Sequence, residues 1–150
     1  FAGATSASSL LLQQLVYYNT FFSVIHIVFV IGVMSYKLTN YQMDDIAMIL
    51  VPLFTAVWIV VEPGRLWLGY SGNLRERVPE LAAFLLLTVI PQVLIVAFMG
   101  FGGTDRFPIE PIMAVPQLLF LLVELWVAYG AIRQFMARQT AAFFRSVQEE

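Results

Sequence analysis

The chain has 150 residues, of which 60% are hydrophobic and only 12% charged, and its mean hydropathy is +0.81. Soluble domains run nearer ~45–50% apolar and ~25% charged, so this composition assigns lipid as the solvent of most of the surface. With no cysteine, a single histidine (His26) and a net charge of −2, disulfide frameworks, thiol nucleophiles, Cys/His zinc sites and a basic field for nucleic acid are excluded.

Residues 1–9 are small and uncharged, with neither the basic start of a signal peptide nor the arginines of a transit peptide. They read as a short polar lead-in to a chain that starts, at Phe1, inside a longer precursor. The first apolar stretch, residues 11–36, carries no charge. At ~1.5 Å per residue it is long enough to cross a hydrocarbon core of ~30 Å. Loop one (Lys37–Asp45) leads to a second span, residues 46–70, with Glu62 and Arg65 near its far end and Pro63-Gly64 between them. Proline removes a backbone donor and clashes with the preceding turn, so a kink is expected near Ile59–Glu62.

Loop two (Ser71–Glu80) carries Gly72-Asn73 and then Arg75 and Arg77, and Pro79 stands where a helix start tolerates it. Span three covers 81–101, and Gly100-Phe101-Gly102-Gly103 reads as its stop. Loop three (Gly102–Pro111) precedes span four, 112–131, whose one charge is Glu124. Pro91 and Pro116 are further candidate kinks. Beyond it, residues 132–148 place Phe135, Met136, Phe143 and Val147 at helical spacing, with Arg133, Arg138 and Arg145 mostly elsewhere on the wheel. They read as a helical extension, either span four continuing or an amphipathic helix on a membrane or partner; Phe135, Phe143 and Phe144 are its candidate contact face. The expected fold is all-α: a single four-helix transmembrane bundle filling residues 1–150, with short loops between antiparallel neighbours.

Lysine and arginine set orientation in such a bundle. Arg65, Arg75, Arg77, Arg133, Arg138 and Arg145 fall on one side, Lys37 and Arg106 on the other. Both termini are therefore expected in the cytoplasm, facing anionic lipid.

Ionisable groups at membrane depth are functional candidates, because their desolvation must be compensated. Glu62 and Arg65 are three residues apart and share a helix face. Glu124 lies nine residues before Arg133, ~13 Å inward by helix rise, within reach of a guanidinium on span two. A Glu62–Arg65–Glu124 cluster holding the bundle in register is the expected arrangement. The alternative, a proton or ion path through a small transporter or channel subunit, needs polar residues stepping across the whole membrane. Gln92, Gln117 and His26 are scattered and uncharged, and a lone mid-span histidine more often donates a hydrogen bond to a neighbouring helix. Catalytic constellations, metal ligand sets and phosphate-binding glycine loops are absent from the sequence, so no enzyme activity and no cofactor are expected.

The string running from Glu62 through Arg65-Leu66, Gly69-Tyr70, Gly72-Asn73-Leu74 and Glu76 to Val78-Pro79-Glu80-Leu81 resembles the signature of the transmembrane protein seventeen family, E-x-x-R-L-x-L-G-Y-x-G-N-L-x-E-x-V-P-E-L. The entry to span one, Gln14-Leu15-Val16-Tyr17-Tyr18-Asn19, looks like that family's Q-x-x-x-Y-x-N pattern, and Glu124 looks like its span-four acid. Pro63-Gly64 departs from the aliphatic pair usual between the motif's Glu and Arg. The resemblance implies a tetraspan protein of the ciliary membrane or transition zone, without catalytic activity or cofactor. Its partners would be other membrane proteins of a ciliary complex; a structural subunit of another large membrane complex is a further alternative. In physical terms, Gly69 and Gly72 are expected to turn the backbone tightly, Asn73 to cap that turn, and Arg75 and Arg77 to meet lipid or a partner.

Overall fold

A computed structural model describes residues 9–102 and 106–148, and the described residues contain no strand. Helix α1 spans Leu10–Asn40 and α2 spans Asp45–Leu74. The third apolar segment is divided: α3 (Val78–Leu87) passes through a kinked stretch, Thr88–Val93, into α4 (Leu94–Phe101). Helix α5 runs unbroken from Ile109 to Gln148. Four helical segments, with α3–α4 counted as one, are long and apolar enough to cross a membrane. The protein is a multi-pass integral membrane protein.

Local chemistry explains the ends. Ser9 caps α1, its hydroxyl accepting from the Leu12 amide at 3.2 Å, and Asp44 caps α2. The α2–α3 connection is much shorter than the ten-residue loop read from sequence, because α2 continues to Leu74. It closes as a Schellman turn: Arg77 N–H donates to Gly72 C=O at 2.9 Å and Glu76 N–H to Asn73 C=O at 3.4 Å. Glu76 takes the left-handed conformation, φ 53°, that completes it. Gly69 and Gly72 therefore lie within α2 and turn nothing. Gly102 caps α4, while Gly103 lies outside the described residues.

Of the candidate kinks, Pro91 interrupts its segment, and Pro63 and Pro116 do not. Helix α2 remains one α-helix through Pro52 and Pro63, and α5 through Pro116. The break falls at Pro91, where Ile90 leaves helical geometry (φ −133°, ψ 114°). The Ile90–Pro91 peptide bond is cis.

The buried positions follow a heptad. In α1 they are Leu12, Val16, Asn19, Ser23, His26, Val30 and, a heptad further, Lys37; in α5, Ala114, Gln117, Leu121, Glu124, Ala128, Ala131 and Phe135. Helix α2 continues the rule with Thr55, Trp58, Glu62, Arg65, Gly69 and Gly72. Alternating steps of three and four keep one narrow stripe per helix facing the bundle axis. Each stripe is largely small or polar, whereas large apolar side chains such as Val28, Val60, Leu86 and Trp126 face outward. In lipid this is the stable arrangement: tails solvate the leucines, and small or hydrogen-bonding residues hold helices together. The helices form a ring in which α1 touches α2 and α5, and α3–α4 closes it between α2 and α5. Two apolar clusters flank the buried ionic residues, one around Leu12, Leu81, Phe84 and Phe135, the other around Trp58, Ile95 and Leu121.

The C-terminal segment is span four prolonged. At ~1.5 Å per residue α5 is ~60 Å long, twice a hydrocarbon core. Gln139 Nε2 donates to Glu76 C=O at 3.2 Å where it leaves the bundle, and every described residue beyond is exposed. Phe143 and Phe144 project there, edge to face. Phe135, expected on the same contact face, is instead buried in the first apolar cluster, since it occupies the next heptad position after Ala131.

Candidate functional site

Arg65 is the centre of the interior. Its guanidinium is wholly buried and engages both acids: Nε and Nη2 donate to Glu62 Oε2 and Oε1 at 2.9 and 2.8 Å, and Nη1 donates to Glu124 Oε2 at 2.7 Å. The three residues singled out from sequence therefore meet. Nη1 also reaches Thr88 Oγ1 at 3.3 Å, and that hydroxyl donates to Phe84 C=O at 2.7 Å. The Phe84 ring lies 5.1 Å from the guanidinium carbon and covers the charge. A bidentate fork to one carboxylate and a single bond to another is what planar arginine offers and lysine does not.

Helix α1 completes the layer with residues outside the sequence-derived cluster. Asn19 Nδ2 donates to Glu124 Oε1 at 2.9 Å, and Ser23 Oγ lies 2.8 Å from Glu62 Oε1 and 3.3 Å from Asn19 Oδ1. All four segments thus contribute: Asn19 and Ser23, Glu62 and Arg65, Thr88, and Glu124. The signal available in sequence was the heptad Leu12, Val16, Asn19, Ser23, which aligns the two polar residues on one stripe.

The adjacent layer also draws on each segment, with His26, Trp58, Gln92 and Gln117. Gln117 Nε2 reaches Glu62 Oε1 at 3.4 Å, and the His26 and Trp58 rings are 5.0 Å apart. Otherwise the layer is poorly bonded: His26 Nδ1, Trp58 Nε1, both amide atoms of Gln92 and Gln117 Oε1 are buried without a partner. The expected interhelical bond from His26 is not formed through Nδ1; the ring packs on Trp58.

Polar contacts continue to both ends. Toward loop one, Lys37 Nζ pairs with Glu110 Oε1 at 2.6 Å and lies 5.0 Å from the Phe107 ring. A small cavity of about 30 Å³ reaches from this pair to His26. Lys37 was assigned to a loop from sequence; it is buried in the last turn of α1. Arg65 likewise belongs to the core, and with both set aside five loop or tail arginines stand against Arg106 in the charge comparison. At the other end, Asn73 caps no turn of its own. Its Oδ1 accepts from Ser9 N–H at 2.9 Å, and its Nδ2 donates to Ser9 C=O and Gln13 Oε1 at 2.9 and 3.0 Å, tying the start of α1 to the end of α2. Arg75 and Arg77 are exposed, Arg77 pairing with Glu80 at 3.0 Å.

The motif glycines serve close approach. A Cβ on Gly69 would stand 2.8 Å from the Phe84 ring, and one on Gly72 would stand 2.9 Å from Glu80 Cβ and 3.0 Å from the Leu81 backbone nitrogen. Gly69 therefore fixes how deeply Phe84, the cover over Arg65, can seat. Among the described residues no group of acids and histidine is placed to hold a metal ion.

A family model described as "predicted membrane protein", Transmemb_17, matches residues 14–121, a region that holds the residues of both buried polar layers except Glu124. Transmembrane protein 17 of Bos taurus is 33% identical over 138 residues, covering 91% of this chain and 68% of that protein. The Homo sapiens protein of the same name gives the same figures, and transmembrane protein 17B of Xenopus tropicalis is 31% identical over 150 residues, 99% of this chain and 67% of its own. No solved structure matches. On the family match and these identities, the chain belongs to the transmembrane protein 17 family.

Proposed function

We propose that the protein is a non-enzymatic component of a ciliary, transition-zone-like membrane complex, with both termini in the cytoplasm. It works there through contacts with other membrane proteins and with anionic lipid. One observation carries this reading. The charged side chains deep in the helices are consumed in mutual bonds, while one end of the bundle keeps Arg75, Arg77, Phe143 and Phe144 exposed. Buried, fully bonded polar groups hold a scaffold; exposed aromatics and arginines contact partners. The family resemblance supplies the ciliary setting.

The test is localisation and co-purification from ciliated cells. Tagged protein is expected at the ciliary base or along the cilium, together with other membrane proteins. Phe143→Ala with Phe144→Ala is expected to reduce that recovery without unfolding the bundle. Uniform spread over the plasma membrane would overturn the reading. The buried ionisable residues Glu62, Arg65 and Glu124 are what a second reading, a small transporter or channel subunit, would use. Ion or proton flux in reconstituted vesicles that stops with Glu124→Gln would support that one.

A further inference from the structure

The buried ionic layer is unbalanced in charge. Glu62 and Glu124 bring two carboxylates to it and Arg65 one guanidinium, all at most 1% exposed. Fully ionised, the layer would carry one uncompensated negative charge inside the bundle, and an isolated buried charge neutralises rather than persists. The nearest other charges along the interior, Lys37 and Glu110, are paired with each other. The polar groups that face or adjoin the layer from the packed segments are Asn19, Ser23 and His26 from α1, Thr88 and Gln92 from the third segment, and Gln117 from α5. Of these only His26 titrates, and it sits in the neighbouring layer.

The hydrogens are one short as well. Three contacts in series join the two carboxylates: Glu62 Oε1 to Ser23 Oγ, Ser23 Oγ to Asn19 Oδ1, and Asn19 Nδ2 to Glu124 Oε1. Each needs one hydrogen. The serine hydroxyl supplies one and the facing amide nitrogen another. With both carboxylates ionised, one contact is always two acceptors facing each other, whichever way the amide is turned. One added proton completes the chain in either direction. On Glu62 it donates to Ser23, which donates to Asn19, which donates to Glu124. On Glu124, with the amide reversed, it donates to Asn19, which donates to Ser23, which donates to Glu62.

We propose that the Glu62–Ser23–Asn19–Glu124 chain is a proton-binding site, holding one proton between its two carboxylates in the folded protein at neutral pH. Charge and hydrogen counts reach that number separately. Because the two acids are coupled through shared partners, the proton belongs to the pair rather than to one residue. Further buried polar atoms lie beside it. Gln117 touches Glu62 Oε1 with its nitrogen and carries a buried, unpartnered oxygen. His26 Nδ1 follows, on the wall of the cavity that reaches Lys37 and Glu110. The site stands independently of the ciliary reading, since binding a proton at equilibrium requires neither transport nor a partner.

Infrared spectroscopy of the full chain in lipid nanodiscs, with carboxyl-labelled glutamate, tests this directly. At neutral pH the wild type is expected to show a protonated-carboxyl carbonyl band that shifts in deuterated buffer. Glu62→Gln and Glu124→Gln should each abolish it, because either leaves one carboxylate balanced by Arg65. Glu124→Gln brings its own hydrogens to the chain and is expected to unfold at the wild-type temperature or above. No band in the wild type, or one that survives both substitutions, overturns the proposal. Should one variant fail to fold, the wild-type band and its fate in the other variant decide.

Discussion

Two neighbouring layers of the same bundle are built to opposite standards. Around Arg65, every carboxylate oxygen and each guanidinium nitrogen has a partner within 3.0 Å, drawn from helices on three sides. One layer further on, His26, Trp58, Gln92 and Gln117 hold five buried polar atoms with none. The difference is one of formal charge. An unpaired buried charge costs several kcal/mol and a neutral amide without its bond only ~1–3 kcal/mol, so charge leaves the packing no latitude while amides do. The slack layer is also where the third segment abandons α-helical geometry, between Thr88 and Val93. The bundle is pinned at the ionic layer and gives way beside it.

The most severe way to break that contrast is to remove the pin. Arg65→Leu leaves two buried acids without their cation and is expected to cost ~3–5 kcal/mol in reversible unfolding from mixed micelles. Arg65→Leu with Glu124→Leu should recover part of that loss, because one stranded charge goes with its partner. Recovery is incomplete while Glu62 remains. Strictly additive losses would mean that the 2.7 Å contact carries no coupling energy.

That ionic cluster was legible in sequence because spacing suffices: three residues apart on one helix, and an acid at matching depth on another. Its α1 half was not. Asn19 and Ser23 are ordinary inside an apolar run, and only the heptad phase, visible once helix ends are known, turns them inward. Loop two misled for a related reason. Glycines beside an asparagine read as a turn, since local chemistry cannot distinguish a glycine that bends the chain from one that lets another helix touch it. Pro63 and Pro91 differ by the same kind of context: both sit in apolar helices, yet only Pro91 interrupts one.

The glycine distinction has its own consequence, of intermediate size. Gly72→Ala sets a methyl against the backbone of α3 and Gly69→Ala sets one against the Phe84 ring, so each is expected to cost ~1–3 kcal/mol. Of the two, Gly72→Ala should be worse, because Phe84 has side-chain freedom and a backbone nitrogen has none. Gly64, in the same helix, has nothing within 4 Å of a built Cβ. Gly64→Ala is expected to stabilise by ~0.5–1 kcal/mol through helix propensity alone. Equal effects at all three positions in thermal melts would remove the argument that the motif glycines serve helix contact.

The smallest expected effects sharpen the comparison most, because they differ in sign. Thr88 and Gln92 lie four residues apart in one segment, both wholly buried. Thr88 belongs to the pinned layer, accepting from Arg65 and donating to Phe84. Thr88→Val keeps the shape and deletes the hydroxyl, so it should destabilise by ~1 kcal/mol. Gln92 belongs to the slack layer, and its amide has no protein partner at either atom. Gln92→Leu removes that unbonded amide at little change in volume and should leave stability equal or raise it by ~1 kcal/mol. Melting both variants beside the wild type, in the same detergent, reads the two signs directly. Were Gln92→Leu to destabilise as Thr88→Val does, its amide would be bonded in the membrane-embedded protein, and the two layers would be held to the same standard after all.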